Sequence, residues 1–188
     1  MLSVLLAVGC AGEGTSTSMS PSPSLSLSLS LSERYTDPAG WSFTYPAGMQ
    51  VERSEVSFSV SVHEVTVANF SPRRAIRSRT TVKADSFTVD PPSPESGPFP
   101  SDGVAFRVYR LEGGPPVLRQ DDMKTRFPLR LADFVPDPYL KHQRPRPLVK
   151  AISAAGLGYT LYAWMGSHAS PRARAALAAV VASLDFPS

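Results

Sequence analysis

The chain has 188 residues, 19 basic against 16 acidic side chains for a formal net charge of +3, 19 prolines and one cysteine. That length suits a single domain, one cysteine excludes an intramolecular disulfide, and so mild a positive charge favours anionic envelope surfaces without establishing a partner. No stretch reaches the roughly 18 consecutive apolar residues that a transmembrane helix requires.

The chain opens with the short apolar run Leu5-Leu6-Ala7-Val8-Gly9, closed by Cys10, and then turns abruptly to Ser, Thr, Gly and Pro. This junction resembles the lipobox of bacterial lipoproteins: an apolar run, small residues at the cut, then the cysteine that receives lipid. The resemblance implies that Cys10 becomes the mature N-terminus. It would carry a diacylglyceryl thioether and palmitate, on the extracytoplasmic face of the cell membrane. Residues 1–9 contain no Lys or Arg, so the positively charged start of such a signal peptide is expected upstream.

Residues 11–33 read as a disordered Ser/Pro/Leu tether, with Pro21 and Pro23 spaced by Ser and strict Leu-Ser alternation from Ser24 to Ser32. Its apolar volume is too uniform to offset the entropy of ordering. The alternation does have strand period, so an edge strand is the alternative. As a flexible coil the segment spans about 25–30 Å r.m.s., enough to clear lipid headgroups. Residues 34–188 are then expected to form one globular domain, large enough to bury roughly 68–70% of its unfolded surface.

That domain opens with an aromatic strand in which Trp41, Phe43 and Tyr45 share a face, stopped by Pro46 and Gly48. Val56, Phe58, Val60 and Val62 alternate with Ser as a half-buried strand. Val65 and Val67 are out of phase with them, which predicts a bulge or tight reversal at His63-Glu64. Asn69-Phe70-Ser71-Pro72 ends the unit. Residues 85–103 are Pro/Gly-rich loop with one short strand over Ser86 to Val89. Val104 to Leu111 is a strand, ended by Gly113-Gly114-Pro115-Pro116. Alternation over Arg126 to Phe134 predicts another strand, and Val135 to Pro147 is broken by proline.

Leu148 to Ala154, a turn at 155–158 and Tyr159 to Met165 read as a hairpin. Tyr159, Leu161, Ala163 and Met165 occupy one face, with Tyr162 and Trp164 on the other, so the second strand is expected to be central and covered twice. Ser170 and Pro171 are the N-cap and first residue of a helix whose Leu177, Val180, Val181 and Leu184 form one buried stripe. Asp185-Phe186-Pro187 stops it. The expected fold is α+β: a mostly antiparallel β-sheet with a C-terminal α-helix packed on one face. The alternative is a β-sandwich with one terminal helix.

A resemblance follows from these segments taken together. Asp37 to Met49, Phe99-Pro100-Ser101-Asp102-Gly103-Val104, the Gly113-Gly114-Pro115 turn, Phe127-Pro128-Leu129 and the closing Gly158 to Gly166 strand and helix resemble a family of uncharacterised actinobacterial lipoproteins. The basic residues, 15 Arg to 4 Lys, carry the codon bias of a GC-rich genome and suit that source. Such proteins look similar to the PsbP/Mog1-like fold. The resemblance carries no catalytic residues, and only Cys10 is assigned a role by it.

Candidate chemistry is sparse. His63, His142 and His168 make no metal-ligand spacing. His63-Glu64 fits a base and its orienter, but fits a solvated turn better. Gly166-Ser167-His168-Ala169-Ser170 lacks the second glycine of a nucleophile elbow and reads as a turn that caps the helix. Asp121-Asp122 has no accompanying calcium-loop pattern. The basic stretches Arg73, Arg74, Arg77, Arg79, Lys83 and Lys141, Arg144, Arg146, Lys150 fit solvated faces or contacts to anionic envelope surfaces. Arg172 and Arg174 oppose the helix dipole. No catalytic, cofactor-binding or metal-binding residue is assigned, and no cofactor. The expectation is a lipid-anchored, non-catalytic binding domain of the cell envelope, held on the membrane by its lipid. Its partner would be an envelope protein or anionic cell-wall component, with no nucleic acid. The alternative is a carrier holding a small apolar ligand between sheet and helix.

Overall fold

In a computed structural model, residues 31–57, 61–69, 76–77, 80–83, 86–94, 98–112, 126–154 and 156–187 are described. The strands, in chain order, are β1 (Leu31–Thr36), β2 (Ser42–Pro46), β3 (Gln50–Ser57), β4 (Ser61–Ala68), β5 (Ile76–Arg77) and β6 (Thr80–Lys83). They continue with β7 (Ser86–Val89), β8 (Ser93–Pro94), β9 (Val104–Glu112), β10 (Val135–Pro136), β11 (Leu148–Ala154) and β12 (Leu157–Met165), followed by the helix α1 (Pro171–Ala182). Six of the strands form one antiparallel sheet in the order β10-β11-β12-β9-β4-β3. The pairs β1-β2, β5-β8 and β6-β7 stand as separate two-stranded ladders. The fold is α+β, mostly antiparallel sheet with the C-terminal helix packed on it.

The period of two divides the central strands between two cores. Val104, Phe106 and Val108 of β9 join Tyr159, Leu161 and Ala163 of β12 beneath the helix and the β1-β2 hairpin. Ala105 and Tyr109, with Tyr162 and Trp164, face the opposite side, where Phe99 and Leu140 close over them from loops. Both middle strands are therefore covered twice, as the apolar residues on both faces of Tyr159 to Met165 predict. On the helix side Trp41 stacks on Phe43 and Phe186, with ring centroids 6.1 and 5.9 Å apart, and meets Tyr159 edge-on.

The helix is seated at both ends. Ser170 Oγ accepts the Ala173 N–H at 3.1 Å and Pro171 occupies the first turn, where its missing donor costs nothing. Leu177, Val180 and Val181 are fully buried. At the far end Ser183 Oγ accepts the Thr44 N–H and donates to the Thr44 carbonyl, at 2.9 and 3.0 Å. Asp185 then pairs with Ser42 through two backbone bonds, so the chain leaves the helix running antiparallel beside the start of β2. Before the helix, the Gly166 and His168 N–H groups donate to the Gly103 and Ser101 carbonyls. Here glycine is required by space, because a Cβ at Gly166 would strike the Ser101 and Pro100 carbonyls.

The structure departs from the sequence expectations in several places. His63 and Glu64 lie mid-strand in β4, and the reversal falls between Ser57 and Ser61. The change of phase has another cause. Val62 belongs to the loop-covered core and Val65 and Val67 to the helix-covered one, while Glu64 and Thr66 fill the intervening positions as buried polar residues. The expected strand over Arg126 to Phe134 is absent. Instead Leu131–Asp133 forms a 3-10 turn, with the Asp133 carboxylate accepting the Arg130 N–H at 2.7 Å, and Leu129 and Phe134 drop into the helix-side core. The segment 76–94 contributes β5, β6 and β8 besides the expected strand at Ser86–Val89. The hairpin turn is tighter than expected, since β12 begins at Leu157. The β1-β2 pairing reaches back to Leu31, inside the segment read as tether.

Candidate interaction surface

The loop from Pro136 to Pro147 carries prolines at 136, 138, 145 and 147, which remove N–H donors and restrict the backbone. Asp137 organises what remains. Its carboxylate Oδ1 accepts the N–H groups of Tyr139 and Leu140 at 2.7 and 3.0 Å, and its own N–H donates to the Pro147 carbonyl at 3.0 Å. The Arg146 guanidinium grips the Asp137 carbonyl with two donors, at 3.2 and 2.9 Å. Leu140 packs on the loop-side core, and the Gln143 N–H bonds the Leu140 carbonyl at 3.0 Å.

This bracing leaves Tyr139 75% exposed, in the same loop as the exposed cations Lys141 and Arg144. Val135, on the adjoining β10, is 59% exposed. Burial, with the Asp137 carboxylate as the next cause, pushes the Tyr162 phenol well above its ordinary range.

The same side of the sheet contains a buried ion pair that sequence reasoning missed. Arg107 is 0% and Glu64 1% exposed, with Arg107 Nε 3.9 Å from Glu64 Oε2. Arg107 Nε donates to Thr66 Oγ1 at 3.0 Å, Nη1 donates to the Asp90 carbonyl at 3.1 Å, and Cζ sits 5.2 Å from the Trp164 ring centroid. Burial lowers the Arg107 pKa and the Glu64 carboxylate pulls it back. Arg107 Nη2 and Trp164 Nε1 are buried and make no hydrogen bond. Groups so enclosed hold the sheet to its cover and do not reach a solute. The available signal was a charged residue within Val104 to Tyr109, where both faces are otherwise apolar.

The residues singled out from sequence do not converge. His63 and Glu64 point to opposite faces of β4, and His63 Nδ1 lies 3.6 Å from Glu55 Oε2 of β3. His142 is exposed in the proline-rich loop, and Ser167 and His168 are exposed in the turn before α1. Among the described residues no group of three or more His, Cys, Asp or Glu side chains is arranged to hold a metal. Trp41, Tyr162 and Trp164 are core residues. Arg174 Nε donates to the Ala169 carbonyl at 3.0 Å, across the first turn of the helix. Cys10, Asp121, Asp122 and the side chains of the Arg73 to Lys83 stretch lie outside the described residues. Among those residues no helix is long and apolar enough to cross a membrane. No protein-family model, curated protein sequence or solved structure matches the chain.

Proposed function

We propose that this chain is a lipid-anchored, extracytoplasmic domain of the cell envelope that binds through its surface and catalyses nothing. The observation that carries the reading is the junction at Cys10: the sole cysteine ends an apolar run, and a Ser/Pro-rich segment connects it to the first strand at Leu31. Two or more acyl chains on that sulfur, at about 0.8 kcal/mol per buried CH₂, would hold the protein durably. The packed body supports surface binding over a ligand carried inside. Leu177, Val180 and Val181 occupy the space between helix and sheet in one continuous cluster with Phe106 and Leu161. The braced, solvent-facing Tyr139 is the kind of rigid aromatic that contributes contact area at low entropic cost.

Metabolic labelling with palmitate tests the anchor, in a bacterium that processes lipoproteins and behind a signal sequence that it exports. The wild type is expected to take up label and Cys10→Ser to take up none. Equal incorporation in both would refute the anchor.

A further inference from the structure

The strand registers fix which end of the domain the tether enters. Leu31 pairs with Pro46, which leads through the turn at Met49 into β3. The first residue of β3, Gln50, pairs with Ala68, and the Asn69 N–H then reaches the Val104 carbonyl. Gly103 and Ser101 hold the turn that begins α1, and Pro147 immediately precedes β11. The tether entry, the start of the helix and the Pro136 to Pro147 loop thus share one end of the sheet.

That end is basic. Lys141, Arg144 and Arg146 project from the loop and Arg172 and Arg174 from the helix start, all exposed. The positive end of the helix dipole adds to them. Exposed Glu33 and Asp102 offset part of this charge. Two arginines in the first helical turn weaken the helix locally, and a Tyr left 75% exposed forgoes burial. Both costs have one physical use. Aromatic rings with a polar tip favour the headgroup layer, and nearby Lys and Arg are drawn to anionic lipid.

We infer that the tether end is a membrane-docking face, with Tyr139 seated among headgroups and Lys141, Arg144 and Arg172 against anionic phospholipid. The inference rests on the lipid-anchor reading for its setting but is tested without the anchor. The full chain carrying Cys10→Ser is sedimented with phosphatidylcholine vesicles containing about 30 mol% phosphatidylglycerol, where each cation near the surface contributes about fivefold to partitioning. Binding is expected at low salt and should vanish at about 1 M salt, where charges are screened within roughly 3 Å. The combined variant Lys141→Ala, Arg144→Ala, Arg172→Ala should lose about a hundredfold, and Tyr139→Ala severalfold. Arg34→Ala, mid-strand in β1 with its guanidinium turned away from the tether entry toward Ser42 and Asp185, should change binding less than about twofold. Unchanged thermal melting would show that the variants fold.

No binding to these vesicles at low salt would overturn the docking face. So would an equal loss in Arg34→Ala and in any one loop variant, since net charge alone would then act. Palmitate labelling reports on the anchor separately, so either idea can fail while the other stands.

Discussion

Replacing Arg107 by Met removes one half of a buried ion pair while roughly keeping its volume. In the wild type the attraction at 3.9 Å, at an effective dielectric of about 20, is about 4 kcal/mol. Against it stands a desolvation penalty of several kcal/mol for each ion, and Arg107 Nη2 is left without a hydrogen bond. The pair as a whole therefore contributes little net stability. Its halves are another matter, because Arg107→Met takes the guanidinium away from a Glu64 carboxylate that is only 1% exposed. It also frees the Asp90 carbonyl and the Thr66 hydroxyl.

The expected destabilisation is about 3–5 kcal/mol. In a domain of this size that corresponds to a drop in Tm of roughly 6–20 °C. The double variant Arg107→Met, Glu64→Leu removes both charges and should recover most of the loss, leaving a coupling of at least about 2 kcal/mol. Urea unfolding followed by Trp fluorescence measures all four corners of the cycle, with unchanged m-values as the check on two-state behaviour. A single-variant cost below about 1 kcal/mol would mean that the buried Glu64 charge does not depend on the guanidinium. Strictly additive costs would mean that the two charges do not interact. Either result would refute this account of the second core.

Two further outcomes follow from the packing. Gly166→Ala should lower stability by about 2–4 kcal/mol, because the new methyl forces apart two backbone segments joined by the Gly166 and His168 hydrogen bonds. Ser167→Ala, at the exposed neighbour, should stay within about 0.5 kcal/mol, and equal melting of the two variants would refute the close approach. Burial pushes the Tyr109 phenol up to about 12. The folded state then holds its proton where the unfolded chain, with an ordinary phenol near 10, releases it. Stability from this group is complete below pH ~10 and is lost as the pH rises toward 12. The part of the tyrosinate absorbance that Tyr109→Phe removes should rise late and together with alkaline unfolding, and early titration of that part with the fold intact would contradict the account.

The elements legible in the sequence were those whose local and tertiary signals agree. The helix has its cap at Ser170, Pro171 at the first turn and a stripe through Leu177, Val180 and Val181, and each feature points to the same structure. The hairpin β11-β12 was legible because two-faced apolarity marks a central strand. The misreadings came where one face of a strand buries polar groups. Glu64 and Thr66 are buried on the face that Val62 shares, so the apolar phase changes at β4 without a bulge. At 126–134 the alternation was real, but Pro128 and the Asp133-capped turn use it to drop Leu129 and Phe134 into the core without a ladder. Tyr139 carried no periodic signal. Its exposure depends on Asp137, Arg146 and Leu140 acting together, and only the folded loop brings those three together.

The abundance of arginine and proline, readable as codon bias, also has a structural consequence. A helix covering a sheet satisfies its own backbone, but a proline-rich loop leaves carbonyls without N–H partners. Guanidinium groups supply the missing donors across this molecule. Arg107 donates to the Asp90 carbonyl, Arg146 donates twice to that of Asp137, and Arg144 donates to those of Lys141 and Gln143. Lysine could not substitute well, because a planar fork of five donors can serve a carbonyl and a second partner at once. Arg107 does this with Asp90 and Thr66. Once its carbonyl partner lies inside the cover, the charge must be buried with it, and Glu64 is the carboxylate that makes that burial tolerable. The ion pair is thus a consequence of closing one face of the sheet with loops, and the opposite face, closed by α1, Trp41 and Phe43, is held by apolar contacts.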